Sequence, residues 1–243
     1  MISNVPARAW SRGAGIAALF CLGLAVPAAA EAPEDADLRL IDDRLVAIEG
    51  MQDLMRTCPA EIWRTRLTWL NSMLAKLKDW RVSQCEDDLS ACVDSCLVSQ
   101  NGTACFAVAR LFEINDAPEF KMASRRAFAL ACALGEPSGC TNRSAGLKNA
   151  PIPSDDLSQN MSEEMEICLY RSFATACDAD DAWGCAMEGQ ALHLGEGTPP
   201  DAHRARLRLQ RACALSPLPE KRETEFAPCR FARTQLEWLD EAD

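Results

Sequence analysis

The decapeptides ACALGEPSGC, residues 131–140, and ACDADDAWGC, residues 176–185, each place a cysteine at both edges of a short turn, with seven residues between. A near copy with eight intervening residues sits at Cys96 and Cys105, and Cys213 and Cys229 bracket a longer connection, PLPEKRETEFAP among it. The leading cysteines fall at 96, 132, 177 and 213, so the pattern steps by 36, 45 and 36 residues. The excess of the longer step falls in KNAPIPSDDLSQN, a Pro/Ser/Asp stretch that reads as a loop insertion. A repeat of this length with helical patterning specifies stacked helix pairs, because one pair alone cannot bury its apolar face.

The clearest unit is GCAMEGQALHLGEGTPPDAHRARLRLQRACAL, residues 184–215. Cys185, Gly189 and Leu192 form one stripe of a first helix. Gly195-Glu196-Gly197 breaks it, and Thr198 is expected to cap the next helix, with Pro199 in its first turn and Asp201 near the positive end of its dipole. Ala205, Leu209, Ala212 and Cys213 make the second stripe. Small residues such as Gly189, Ala205 and Ala212 allow the two helices a close approach.

Export follows from the N-terminus. Arg8 and Arg12 precede fourteen apolar or small residues, GAGIAALFCLGLAV, and then Ala28-Ala29-Ala30. This is the layout of a secretory signal peptide, residues 1–30, cut near Glu31. The apolar run is too short to span a bilayer, and no later run is long enough. Without the leader the net charge goes from −11 to −13 and the cysteine count from 13 to 12. An acidic chain is a poor partner for nucleic acid or an anionic membrane. An even cysteine count in an exported chain reads as a disulfide framework, and the expected location is periplasmic or secreted.

The order C…G…GxG…D…A…AC over residues 184–215 resembles a Sel1-like repeat, a cousin of the tetratricopeptide repeat. The Ala-Cys that precedes a second cysteine after seven residues resembles the disulfide-bearing version in the Helicobacter cysteine-rich protein family. The resemblance covers roughly residues 85–240, closest over 184–215 and loosest over 140–177. It implies an all-α fold, a right-handed α/α superhelix (a Sel1-like, tetratricopeptide-like solenoid) stapled by inter-repeat disulfides. On this reading Cys96 pairs with Cys105, Cys132 with Cys140, Cys177 with Cys185 and Cys213 with Cys229. Each bond joins the second helix of one pair to the first helix of the next. In the chain-entropy model each closure is worth about 2–3 kcal/mol.

Cys58, Cys85, Cys92 and Cys168 remain, with three possible connectivities. Pro59 is expected to open a helix carrying Trp63, Leu67, Leu70, Leu74 and Leu77, which sets Cys58 and Cys85 at opposite ends of a rod. Ser83 to Glu86 reads as a capping box opening the following helix. Cys92 and Cys96 make a CxxxC, but Leu97 stands where haem attachment would need histidine. Residues 31–84 are expected to be N-terminal helices, and residues 85–243 the repeat stack with a C-terminal capping helix. Leu38, Ile41, Leu45, Ile48 and Met55 follow a loose heptad with Gln52 in its seam, suited to capping the first repeat or pairing with another chain.

Catalytic motifs are scarce. The chain has no Ser-x-x-Lys, no Gly-x-Ser-x-Gly, no Walker loop and only two histidines, His193 and His203. Neither a catalytic site nor a metal or cofactor is expected. Helix phase nominates Arg110, Glu113, Met187, Gln190 and His193 as groove residues. Three functions compete: a scaffold or adaptor binding a protein, a peptide or a cell-wall (peptidoglycan) fragment on its concave face; a β-lactam-binding protein or weak β-lactamase, as the resembled family is described; and a redox or metal assembly factor, since a Sel1-like cysteine-rich relative serves cytochrome oxidase assembly. The first is favoured. Cys168, with no obvious partner, is the one candidate nucleophile.

Overall fold

The repeat spacing becomes a succession of helices joined by tight turns. The computed structural model describes residues 33–58, 80–115, 117–149, 161–215 and 226–242. The expected signal peptide, the helix expected from Pro59, and most of the KNAPIPSDDLSQN stretch lie outside the described residues. The helices are α1 (Asp35–Val46), α2 (Met51–Arg56), α3 (Val82–Asp87), α4 (Leu89–Leu97), α5 (Gly102–Asn115), α6 (Lys121–Ala133), α7 (Pro137–Asn149), α8 (Glu163–Asp178), α9 (Ala182–Leu194), α10 (Ala202–Ala214) and α11 (Ala227–Ala242). A 3-10 turn, Pro118–Phe120, precedes α6. Among the described residues there is no strand.

Consecutive helices from α4 to α7 pack on one another, as do α8 to α11, and α7 packs on α8 and α9. The cysteines stand at the ends of these helices. Cys132 of α6 bonds Cys140 of α7, and Cys177 of α8 bonds Cys185 of α9. Cys96 of α4 bonds Cys105 of α5, and Cys213 of α10 bonds Cys229 of α11. The turns before Cys140 and Cys185 are tight enough to exclude a side chain at the preceding residue. A methyl group on Gly184 would lie 2.7 Å from the Ala176 Cβ and 2.9 Å from the Cys177 nitrogen. One on Gly139 would meet Ala131 and Cys132 at 2.7 and 2.8 Å. The recurring Ala-Cys and Gly-Cys ends are therefore two sides of one contact. Gly189 serves the α9–α10 approach in the same way, 2.6 Å from the Leu209 side chain if a Cβ is added.

The remaining cysteines pair as Cys85–Cys92 and Cys58–Cys168. The first closes the kink between α3 and α4. The second spans 110 residues and ties the end of α2 to α8. Cys168 is thus no free thiol, which removes it as a nucleophile.

Several local expectations need correction. The helix at 202 is capped by Asp201, whose side chain accepts from the Arg204 amide at 2.9 Å, and not by Thr198. A residue before proline is driven out of the helical region, so Thr198 and Pro199 cannot begin a helix ahead of Pro200. Arg81 stands at the N-cap of α3, its amide donating to the Gln84 side chain at 2.9 Å, two residues before the expected box at Ser83. The loose heptad is broken at Gly50, whose φ of 80° is left-handed. Met51 and Met55 are buried, whereas Gln52 is exposed.

Helices α1 and α2 lie on α6 and share its core, with Leu38, Ile41 and Leu45 beside Phe112, Phe120 and Phe128. Arg126 clamps Asp42 of α1 through Nε at 3.0 Å and Nη2 at 2.6 Å. Buried Arg143 of α7 donates to the Met55 carbonyl at 2.8 Å. A second core gathers Leu192, Leu209, Ala212, Ala232 and Leu239 at the C-terminal end. Between them a small cluster, Leu147, Leu169, Phe173 and Met187, joins α7, α8 and α9.

Candidate functional site

Three members of that middle cluster, Leu147, Leu169 and Phe173, are the floor of a cleft of about 280 Å³. One stripe of α8 builds its long wall: Glu166, Leu169, Tyr170 and Phe173 recur at helical steps. Ser162 sets the start of this helix by accepting from the Met165 amide at 3.2 Å. The helix-start amide of Glu164, together with the Ser162 hydroxyl, holds the Glu164 carboxyl below its ordinary value. The opposite face of α8 carries Cys168 and Ser172, so the bond to Cys58 fixes the wall from behind. Helix α7 adds Leu147 and Lys148, α9 adds Ala191, and Met161 and Glu196 close the ends.

Glu196 is placed by its two glycine neighbours. Gly195 caps α9 in the left-handed region, φ 75°, and Gly197 has φ 65°. A Cβ on Gly197 would fall 2.2 Å from the Glu166 carbonyl oxygen, so this loop presses against α8. Lys148 Nζ pairs with Glu196 and donates to Gln190 Oε1 at 3.4 Å. Tyr170 Oη accepts from Arg204 Nη2 at 3.0 Å. Glu166 is exposed and has no side-chain partner among the described residues.

None of the five groove residues nominated by helix phase is among the residues lining this cleft. Met187 is buried, packs with Leu147, Leu169 and Phe173, and is not among the lining residues. Gln190 sits at the cleft's edge on Lys148. His193, half-buried with an unpartnered Nδ1, is not among the lining residues. Arg110 and Glu113 lie on α5 and pair with each other. Partial burial pushes the Glu113 carboxyl up, and the charge of Arg110 opposes this. Glu166, Tyr170 and Phe173 escaped helix phase because it was applied to first helices only, while the wall is a second helix; Glu196 lies in a loop, and Lys148 is on α7, where no phase was assigned. Two signals pointed here: the chain's single tyrosine, and a glutamate between two glycines.

Behind Tyr170 lies a charged cluster. Glu188 of α9 is fully buried, 2.9 Å from Arg208 Nε, and Arg208 also reaches Asp178 at 3.2 Å. Burial pushes the Glu188 carboxyl up; Arg208 opposes it, Asp178 adds to it, and Arg204 opposes it more weakly. Among the described residues no group of three or more His, Cys, Asp or Glu could hold a metal ion. No described helix is long and apolar enough to cross a membrane. Six disulfides suit an oxidising extracellular or periplasmic environment. Comparison with protein-family models, with curated proteins and with solved structures finds no match.

Proposed function

We propose that this chain is an exported Sel1-like repeat protein, a disulfide-stapled superhelix of helix pairs, that works as a scaffold or adaptor and binds a protein or peptide segment in the cleft between α7, α8 and α9. The observation that carries the reading is the cleft itself: an apolar floor of Leu147, Leu169 and Phe173 under a polar edge of Lys148 and Glu196, with Lys148 also held by Gln190. Its walls are preformed. Covalent bonds hold α8 to α9 and to the end of α2, so little ordering is left to oppose binding. A cavity near the lower end of the range for small-molecule sites suits one or two anchoring side chains better than a whole cofactor. Catalysis at Cys168 has no place in this reading, because its sulfur is bonded to Cys58.

The test is comparative capture. Purified protein and its Tyr170→Ala and Lys148→Ala variants are immobilised and exposed to envelope extract and to defined peptidoglycan fragments. A protein retained by the unaltered chain and bound about tenfold more weakly by Tyr170→Ala supports the reading. Retention that ignores both substitutions removes the cleft from it, and β-lactam turnover by the same preparation would replace it with an enzyme.

A further inference from the structure

We infer that the cleft selects a cationic ligand: an ammonium or guanidinium group carried next to one apolar anchor side chain. This rests on the proposed binding function and specifies its chemistry. The anchor is set by the floor. Leu147, Leu169 and Phe173 are buried and aliphatic or aromatic, and Tyr170 adds a ring whose hydroxyl is already engaged by Arg204. Nothing at the floor asks for a polar group.

The charge is set by the rim. Two carboxylates, Glu166 and Glu196, and one ammonium, Lys148, line the opening. Lys148 and Glu196 satisfy each other, and Lys148 donates a further hydrogen bond to Gln190. Glu166 is the lining carboxylate left over, on an acidic first turn that also carries exposed Glu163 and Glu164. Arg204 stands behind the Tyr170 hydroxyl and is not part of the lining. A ligand carboxylate would meet Glu166 with no unengaged cation in the lining to offset it. A ligand cation would meet Glu166 directly, and the acidic chain as a whole raises its local concentration.

Both an N-terminal amine and an arginine or lysine side chain supply this chemistry, and the test separates them. The purified oxidised protein is titrated with four probes: acetyl-Phe-Arg-amide, Phe-Gly-amide with a free amine, acetyl-Phe-Gln-amide and acetyl-Phe-Glu-amide. Binding is read by calorimetry and by NMR shifts of Tyr170. The expectation is that one or both cationic probes bind best, that the acidic probe binds worst, and that added salt narrows the gap. Glu166→Gln, at an exposed position that leaves folding intact, should weaken the cationic probe about threefold and leave the neutral probe unchanged. A preference for the side-chain cation over the amine, or the reverse, identifies the source. Equal binding of cationic and acidic probes, or no shift of Tyr170 at millimolar probe, overturns the inference. If cleft-dependent capture from extract persists in that case, the binding function stands and only its charge selectivity falls. If capture is also cleft-independent, both fall.

Discussion

Asp181 joins two helix pairs with a single carboxylate. Its Oδ1 accepts from the Gly184 amide at 2.5 Å, capping α9, and from the Thr141 hydroxyl at 2.9 Å, while Oδ2 accepts from the Ser138 hydroxyl at 2.7 Å. The last two donors belong to α7, so the cap of one hairpin is also its attachment to the previous one. Loss of a helix cap costs about 1 kcal/mol, and stranding the buried Thr141 hydroxyl adds a comparable amount. Asp181→Ala should therefore destabilise by about 2 kcal/mol and lower Tm by roughly 4–8 °C, measured by calorimetry. Nothing in ACDADDAWGC distinguishes Asp181 from Asp178 or Asp180 as the bridging residue, since the partners lie about forty residues away. Gly184 was more legible, because the repeated Gly-Cys ending marks a place where no side chain fits. Glu188 makes a prediction of opposite character. Its folded carboxyl lies above the ordinary 4.5, so the unfolded chain ionises first as pH rises and this group's contribution to stability declines from there upward. Glu188→Gln keeps the shape and removes that decline. Thermal melts from about pH 4 to about pH 7 should show the variant gaining on the unaltered chain as pH increases. A constant difference across the range would mean that Glu188 does not titrate in it.

Among the elements, the helices with clear apolar stripes were legible, and their ends were not. Leu192, Leu209 and Ala212 are buried as their spacing required, yet the caps of α3 and α10 moved by two and three residues from where single-residue preferences put them. Backbone restriction by Pro200 outweighed the hydroxyl of Thr198 in one case. In the other, the Trp80 amide donates to Thr103 of α5 at 3.0 Å, a tertiary contact that fixes where the chain enters α3. The stripe of the cleft wall was present in the sequence as Glu166, Leu169, Tyr170 and Phe173, but only a folded neighbour reveals that Leu147 and Ala191 face it. At the N-terminal end, α1 is held down by its buried stripe and by the Arg126–Asp42 clamp, whose side chains are 17% and 22% exposed. A clamp of that geometry contributes about 1 kcal/mol. Arg126→Ala should speed amide exchange across residues 35–46 several-fold and leave α9 and α10 unchanged. Uniform acceleration in all helices would show that α1 is not a separable element.

At the scale of the whole molecule, the bonds divide into turn-closing pairs and one long tether. In the chain-entropy model a closure of eight residues is worth about 2–3 kcal/mol, whereas the 110-residue closure from Cys58 to Cys168 is worth about 4–5 kcal/mol. The paired substitution Cys58→Ser with Cys168→Ser should lower the urea midpoint more than Cys132→Ser with Cys140→Ser. Equal losses would mean that native contacts, not the closure of the long loop, set the value of the tether. The bonds Cys132–Cys140 and Cys177–Cys185 are legible because their spacing recurs, whereas Cys85–Cys92 closes a turn that no second copy marks. The tether is not legible either, because no local pattern links residues so far apart. That tether also decides how the molecule answers a pull. When opposite ends are drawn apart, tension reaching Cys58 crosses through sulfur to Cys168 and bypasses everything between, α3 to α7 included. Helix α8 from Cys168 onward and helices α9 to α11 lie in the load path, shortened only at the Cys177–Cys185 and Cys213–Cys229 bridges. An oxidised chain stretched to failure therefore stops short by on the order of 400 Å of contour that reduction of the tether and the bonds inside its loop releases. Leu147 and Lys148 of the cleft sit in the unloaded loop and Tyr170 on the loaded strand, so an end-to-end pull would part the two walls of the binding site while half of the chain stays slack.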